Sequence, residues 1–223
     1  MTRHQLLAVA ALMALSSAGT VAAAPPANWD GLAQVPAKNV DYLYLRPGAD
    51  FSNYKAIILD PPEVSFRKNW QRDMNRSRRG SSRVSDSDLR HAIDEAQGKV
   101  RSSFEKKFSA TGFQIVSAPA ENALRVFVGI ANVEVTAPEI DSPGRSRTYA
   151  EQAGHGTLVI EVRDSLSGEL LGRAVDHDYA GDNFVMLRNS TSNWADFEHL
   201  FNDWATISAN GFRKLVASSP SGQ

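Results

Sequence analysis

The chain of 223 residues contains no cysteine. That excludes disulfides, thiol nucleophiles, thiolate zinc sites and lipid attachment through a cysteine. It has no excess of either charge: 24 Lys and Arg against 25 Asp and Glu give a formal net charge of −1. A dedicated nucleic-acid binder is therefore not expected, although a local basic patch remains open. Histidine is scarce, with five in the chain. There is no Gly-x-Ser-x-Gly elbow and no Walker or dinucleotide glycine motif, so no cofactor is expected. Long apolar runs are missing as well. Leu6–Leu15 is too short for a bilayer, which needs about 20 residues, and no later segment qualifies as a transmembrane segment.

What is present begins with an export signal. Arg3 and His4, the apolar run Leu6–Leu15 and the small neutral stretch Ser16–Ala23 have the three-part pattern of a secretory signal peptide, with cleavage after Ala23. The expected domain plan is a signal peptide at 1–23, a flexible mature N-terminus at 24–37, a single domain at 38–218 and a tail at 219–223. Without disulfides or an anchor, the mature chain is expected in the periplasm or secreted.

The most β-favouring stretch is Ala123–Ala137. Leu124, Val126, Val128 and Ile130 alternate as one buried face of a strand. After Asn132 the apolar residues move to odd positions, at Val133 and Val135. One extra residue in the strand causes such a change of phase, so a β-bulge or break is predicted at Ala131–Asn132. Further strands are expected at Val40–Leu45, Lys55–Asp60, Glu63–Phe66, Phe113–Val116, Thr157–Arg163 and Leu170–Ala180. In the last of these, Leu171, Val175 and Tyr179 are spaced for one face.

Two helices stand out. Ser85–Ala110 has an N-cap Ser85, a capping box with Asp88, and an apolar stripe through Ala96, Val100, Phe104 and Phe108. Asn193–Val216 carries Phe197, Phe201, Trp204 and Leu215, with Asn193 and Asp196 as its cap and box. The order β-β-α-β-β-β-β-α predicts an α+β fold: a single, mostly antiparallel sheet with two long helices packed on one face.

The run Tyr42-Leu-Tyr-Leu-Arg-Pro-Gly-Ala-Asp-Phe-Ser-Asn-Tyr-Lys-Ala-Ile-Ile-Leu-Asp-Pro61 resembles the signature of the family called domain of unknown function 3313. The resemblance extends to Asp203-Trp204-Ala205. It implies a bacterial exported protein, often a lipoprotein, with no established activity. This chain lacks the lipidated cysteine of that pattern, so no lipid anchor is carried over.

One stretch departs from the even charge balance. Between 67 and 83 lie seven cations, Arg67, Lys68, Arg72, Arg76, Arg78, Arg79 and Arg83, against one acid, Asp73. This is either a solvated loop or an arm contacting anions, since the planar guanidinium suits phosphate. The functional expectation is a non-enzymatic envelope protein binding an anionic envelope polymer or a partner protein. The alternative is a hydrolase-like or metal-dependent enzyme using Asp176, Asp178 and His155, with loop help from Asp182 or Asn183. A third expectation is strand addition to a partner at an exposed edge near Glu63–Phe66.

Overall fold

A computed structural model describes residues 25–76, 78–80, 83–136, 148–150, 152–181, 186–188 and 190–218. The expected signal peptide at 1–23, the tail at 219–223 and the loop residues Asp182 and Asn183 lie outside the described residues.

The fold is α+β, with one large mixed sheet and its helices beside it, and, apart from the expected single sheet, a two-stranded antiparallel pair of Thr148–Ala150 with Met186–Arg188. The strands are β1 (Asn28–Trp29), β2 (Leu32–Val35), β3 (Tyr42–Leu45), β4 (Ala56–Leu59), β5 (Glu63–Phe66), β6 (Gln114–Ile115), β7 (Ala123–Val135), β8 (Thr148–Ala150), β9 (Gly154–Asp164), β10 (Leu170–Ala180) and β11 (Met186–Arg188). The helices are α1 (Trp70–Met74), α2 (Asp86–Ala110) and α3 (Ser190–Ser218). The main sheet runs β1-β2-β3-β10-β9-β7-β4-β6, and β5 also pairs with β7. Its long centre is antiparallel, β7 to β9 to β10 to β3. The pairings of β4 with β6 and β7, and of β5 with β7, are parallel. β4 lies along the first half of β7 and β5 along the second, because Pro61-Pro62 interrupts what is otherwise one edge.

The predicted bulge is present in β7. Ala131 faces Thr157 and Glu134 faces His155, so Asn132 and Val133 together oppose Gly156. Asn132 takes a left-handed backbone, φ 54°, a conformation Asn tolerates better than most residues. The slip keeps Val133 in the same core as Val126, Val128 and Ile130. A second register shift, between Leu170 and Gly172, overturns the one-face reading of β10. Leu171 enters the main core, whereas Tyr179 stays 49% exposed.

Both long helices pack on one face of the sheet. Ala96, Val100, Phe104 and Phe108 of α2 share a core with Phe197, Phe201, Trp204 and Phe212 of α3 and with Leu158 and Ile160 of β9. The rings of Phe108 and Phe212 meet edge to face at 5.3 Å. Ser85 caps α2, and the Ser85–Asp88 box forms as the sequence predicts. α3 starts earlier than expected, so Asn193 lies within the helix and is buried, and it is not the cap.

The N-terminal stretch needs a correction. Residues 28–35, expected to be flexible, form the β1–β2 hairpin. Asp30 and Gly31 supply its two positive φ angles, 54° and 80°, the pair a type I′ turn requires. The hairpin pairs with β3 and lays Trp29 over the Arg173 guanidinium at 4.1 Å. Beneath it, Arg173 and Glu161 form an ion pair in which each side chain is 4% exposed.

Candidate functional site

Among its described residues, the stretch that carries the seven cations is held against the sheet. Its anchor is Trp70, 3% exposed. The indole packs on Phe66 with ring centroids 4.6 Å apart and donates its Nε1–H to the Val135 carbonyl at 3.3 Å. α1 follows directly, and then the loop closes at its neck. The Asn75 amide donates to the Val84 carbonyl, and the Val84 N–H donates back to Asn75 Oδ1, both at 2.8 Å. Gln71 adds a bond to the same carbonyl and one to Asp86. The four arginines between the two sides of the neck, Arg76, Arg78, Arg79 and Arg83, therefore emerge from a fixed base.

Their partners differ. Arg67 is half-buried and paired, with Glu134 at 2.7 Å and Asp73 at 3.2 Å. These acids raise its proton affinity further, the bond to Glu134 contributing most. Asp73 also faces Arg72 at 3.3 Å and Arg76 at 3.8 Å. The hydrogen bond from Arg67 is the main reason its carboxyl lies below the usual range. One carboxylate thus serves three guanidiniums, which leaves Arg72 and Arg76 largely in solvent, at 62% and 72%. Lys68, Arg79 and Arg83 are exposed as well. Arg78 is half-buried, and desolvation pushes its guanidinium down from its ordinary value.

Behind this element is an apolar cavity of about 160 Å³. Trp70, Val84 and Phe66 form its outer wall, Leu89 and Ala92 of α2 one side, and Phe197 of α3 the other. The α2 N-terminus is a poor place for an anion, because Asp86 and Asp88 already occupy its first turn. Anion contact therefore falls to the outward arginines.

The three residues of the enzyme alternative are not brought together. Asp176 lies on the helix face of the sheet. It accepts from the Trp204 indole N–H at 2.8 Å and from the Asp41 amide at 3.0 Å. Burial raises its pKa, and both of these bonds oppose the rise. His155 is on the opposite face by strand alternation. Asp178 is exposed and accepts from the amide of Tyr179.

What the sequence reading missed is the company of His155. The cross-strand register places it with His177 and Tyr179, ring centroids 5.2, 5.5 and 5.7 Å apart. Glu134 Oε2 is 3.9 Å from its Nε2. Burial lowers the His155 pKa, and the Glu134 charge opposes this. Only a known β9–β10 register could have grouped these residues. Among the described residues, no three His, Asp or Glu are arranged to hold a metal ion, and no helix is long and apolar enough to cross a membrane.

Among solved structures, the chain is similar to a protein from Xanthomonas campestris assigned to the family model DUF330. Identity is 11% and the TM-score 0.43, over 75% of this chain and 89% of that one. A PelC dodecamer from Paraburkholderia phytofirmans is similar at 11% identity and TM-score 0.35, over 74% of this chain and 95% of that one. No curated protein matches the chain. A family model does match, over residues 26–207, from the β1–β2 hairpin to beyond the Trp204 that binds Asp176. The chain belongs to that family, described as protein of unknown function (DUF3313).

Proposed function

We propose that this is an exported, non-enzymatic protein of the bacterial envelope that binds an anionic envelope component through its arginine loop. In this reading the mature chain begins after Ala23 and works in the periplasm or outside the cell. The observation that carries the proposal is the Asn75–Val84 clasp. A clasped loop presents its arginines with less ordering left to do on binding than a free arm would have. Arg72 and Arg76, which share the Asp73 carboxylate and stay largely in solvent, suit phosphate or carboxylate groups on a lipid or acidic polymer.

The experiment compares binding to phosphatidylglycerol and phosphatidylcholine vesicles at low and high salt. The parent is expected to bind the anionic vesicles and to release them as salt rises. Changing Arg76, Arg78 and Arg79 to Ala should remove that binding. A second triple, Arg72, Arg79 and Arg83 to Ala, uses exposed positions only and guards against misfolding. Equal binding by parent and variants contradicts the proposal.

A second reading has one observation in its favour. Among the described residues, β5 pairs with a strand on one side only, β7. An open edge of this kind accepts a strand from a partner protein. A Ser65→Lys variant, placing a charge on that edge, should then lose a partner that loop variants retain.

A further inference from the structure

We propose that the groove between the C-terminal half of α3 and the β3–β10–β9 part of the sheet binds a single-chain anionic amphiphile, an alkyl chain ending in carboxylate or phosphate. The groove measures about 310 Å³, within the range of small-molecule sites. It is separate from the arginine loop and its cavity, sharing no lining residue with either.

Small residues line the space: Ala174 on the sheet side, with Gly172 beside it accommodating the Leu45 side chain, and Ser208 and Gly211 on the helix side. A Cβ built at Gly211 meets no heavy atom within 4 Å. The helix therefore passes over the sheet at this point without filling the gap. A glycine in the interior of a long helix is locally unfavourable, so the open space comes with a local penalty.

The walls suit an alkyl chain. Leu43, Leu45, Ile160, Val162, Phe212 and Leu215 are apolar. Ser208 is satisfied, its hydroxyl donating to the Trp204 carbonyl at 2.6 Å. Arg173 touches the groove, but its guanidinium is engaged by Glu161, Asp30 and Trp29 on the opposite face.

The rim gives the sign of the headgroup. Lys38, on the β2–β3 connection, and Lys214, on α3, both line the groove and are exposed. No Asp or Glu lines it, and neither ammonium has a carboxylate partner among the described residues. Two solvated cations at the mouth of an apolar slot complement a tail that goes in and an anion that stays out. A polypeptide helix, about 10 Å across with its side chains, is too thick for this volume.

The test titrates the mature protein with dodecanoate, dodecyl phosphate and dodecyltrimethylammonium, each below its micelle concentration, by calorimetry. The two anions should bind and the cation much more weakly, and their ranking separates carboxylate from phosphate recognition. Gly211→Leu fills the groove from the helix side and removes a helix-interior glycine. It should keep or raise the melting temperature while weakening anion binding about tenfold or more, a change of about 1.4 kcal/mol. Lys38→Glu with Lys214→Glu should abolish the preference for anions. The arginine-loop triple should bind both anions like the parent, so the two sites fail or succeed separately. Absence of binding by the parent, or unchanged binding by a folded Gly211→Leu, overturns the proposal. So does a Gly211→Leu variant whose main effect is to dissociate an oligomer, since the groove then holds a second copy.

Discussion

Replacing Trp204 by Phe tests how the core is held together. The ring is 1% exposed and lies between α3 and the β9–β10 part of the sheet, near Gly156 and Asp176. Phenylalanine keeps most of the apolar contact but loses the N–H that reaches Asp176 at 2.8 Å. A hydrogen bond to a buried charged acceptor is worth about 1.5–3 kcal/mol. The smaller ring adds about 1 kcal/mol for incomplete filling. The expected loss is therefore about 3 kcal/mol, a large part of the 5–15 kcal/mol that typically holds a domain together. At about 2–4 °C per kcal/mol for a domain of this size, the melting point should fall by about 10 °C.

The pH dependence distinguishes this cause from simple loss of packing. Burial raises the folded pKa of Asp176 above its ordinary value, and the indole bond restrains that rise. A raised carboxylate pKa means the ionised form costs stability at neutral pH. That cost lifts as pH falls through the folded pKa, because the folded state binds the proton more tightly. Without the indole the pKa rises further, so the penalty of Trp204→Phe should be full at pH 7.5 and smaller at pH 5. Urea unfolding followed by circular dichroism at both values measures this. A penalty equal at the two pH values, or below about 0.5 kcal/mol at pH 7.5, refutes the argument that the bond to Asp176 carries the effect.

Three further outcomes are expected. Asn132→Gly should leave stability within about 0.5 kcal/mol, whereas Asn132→Val should cost about 1–3 kcal/mol, because a β-branched residue resists the positive φ of the bulge; thermal unfolding of the two variants checks this. Glu161→Gln should cost less than the roughly 3–5 kcal/mol of a fully stranded buried charge, because Arg173 keeps Asp30 as a counter-charge, while Glu161→Met with Arg173→Leu should recover much of the loss; a denaturant series on all three forms measures the coupling. Asn75→Ala should open the neck of the arginine loop and speed trypsin cleavage between Arg76 and Arg83 severalfold, with little change in the global melting point, as timed digestion and mass spectrometry would show.

The sequence revealed much of this architecture because local signals and tertiary packing agree. Ser85 and Asp88 mark the start of α2, and its apolar stripe is the face that packs. The change of phase at Asn132 was readable as a bulge because apolar residues flank it on both sides. The equivalent slip in β10 was not, since Gly172, Arg173 and Ala174 give no apolar phase to follow. The β1–β2 hairpin is hard to read although Asp30-Gly31 is a strong turn signal, because β1 offers only two residues and the flanking prolines and alanines read as loop. The density of arginine at 67–83 suggested a free arm. Its described ends are held by Trp70 and by the Asn75–Val84 bonds, and no local pattern announces those partners. Both the separation of His155 from Asp176 and its grouping with His177 and Tyr179 depend on the register of two strands, because Gly154 and Gly156 make His155 read as a loop residue free to join the two aspartates.

The most direct test of the proposed binding role is the salt dependence of affinity for phosphatidylglycerol vesicles, for the parent and the Arg72, Arg79 and Arg83 triple. The account predicts that the parent's affinity falls linearly with salt on a logarithmic scale, as counterion release at a polyanion requires. It also predicts that the triple binds more weakly and with a shallower slope. Parent and triple falling on one line, or no affinity at low salt for either, would contradict it.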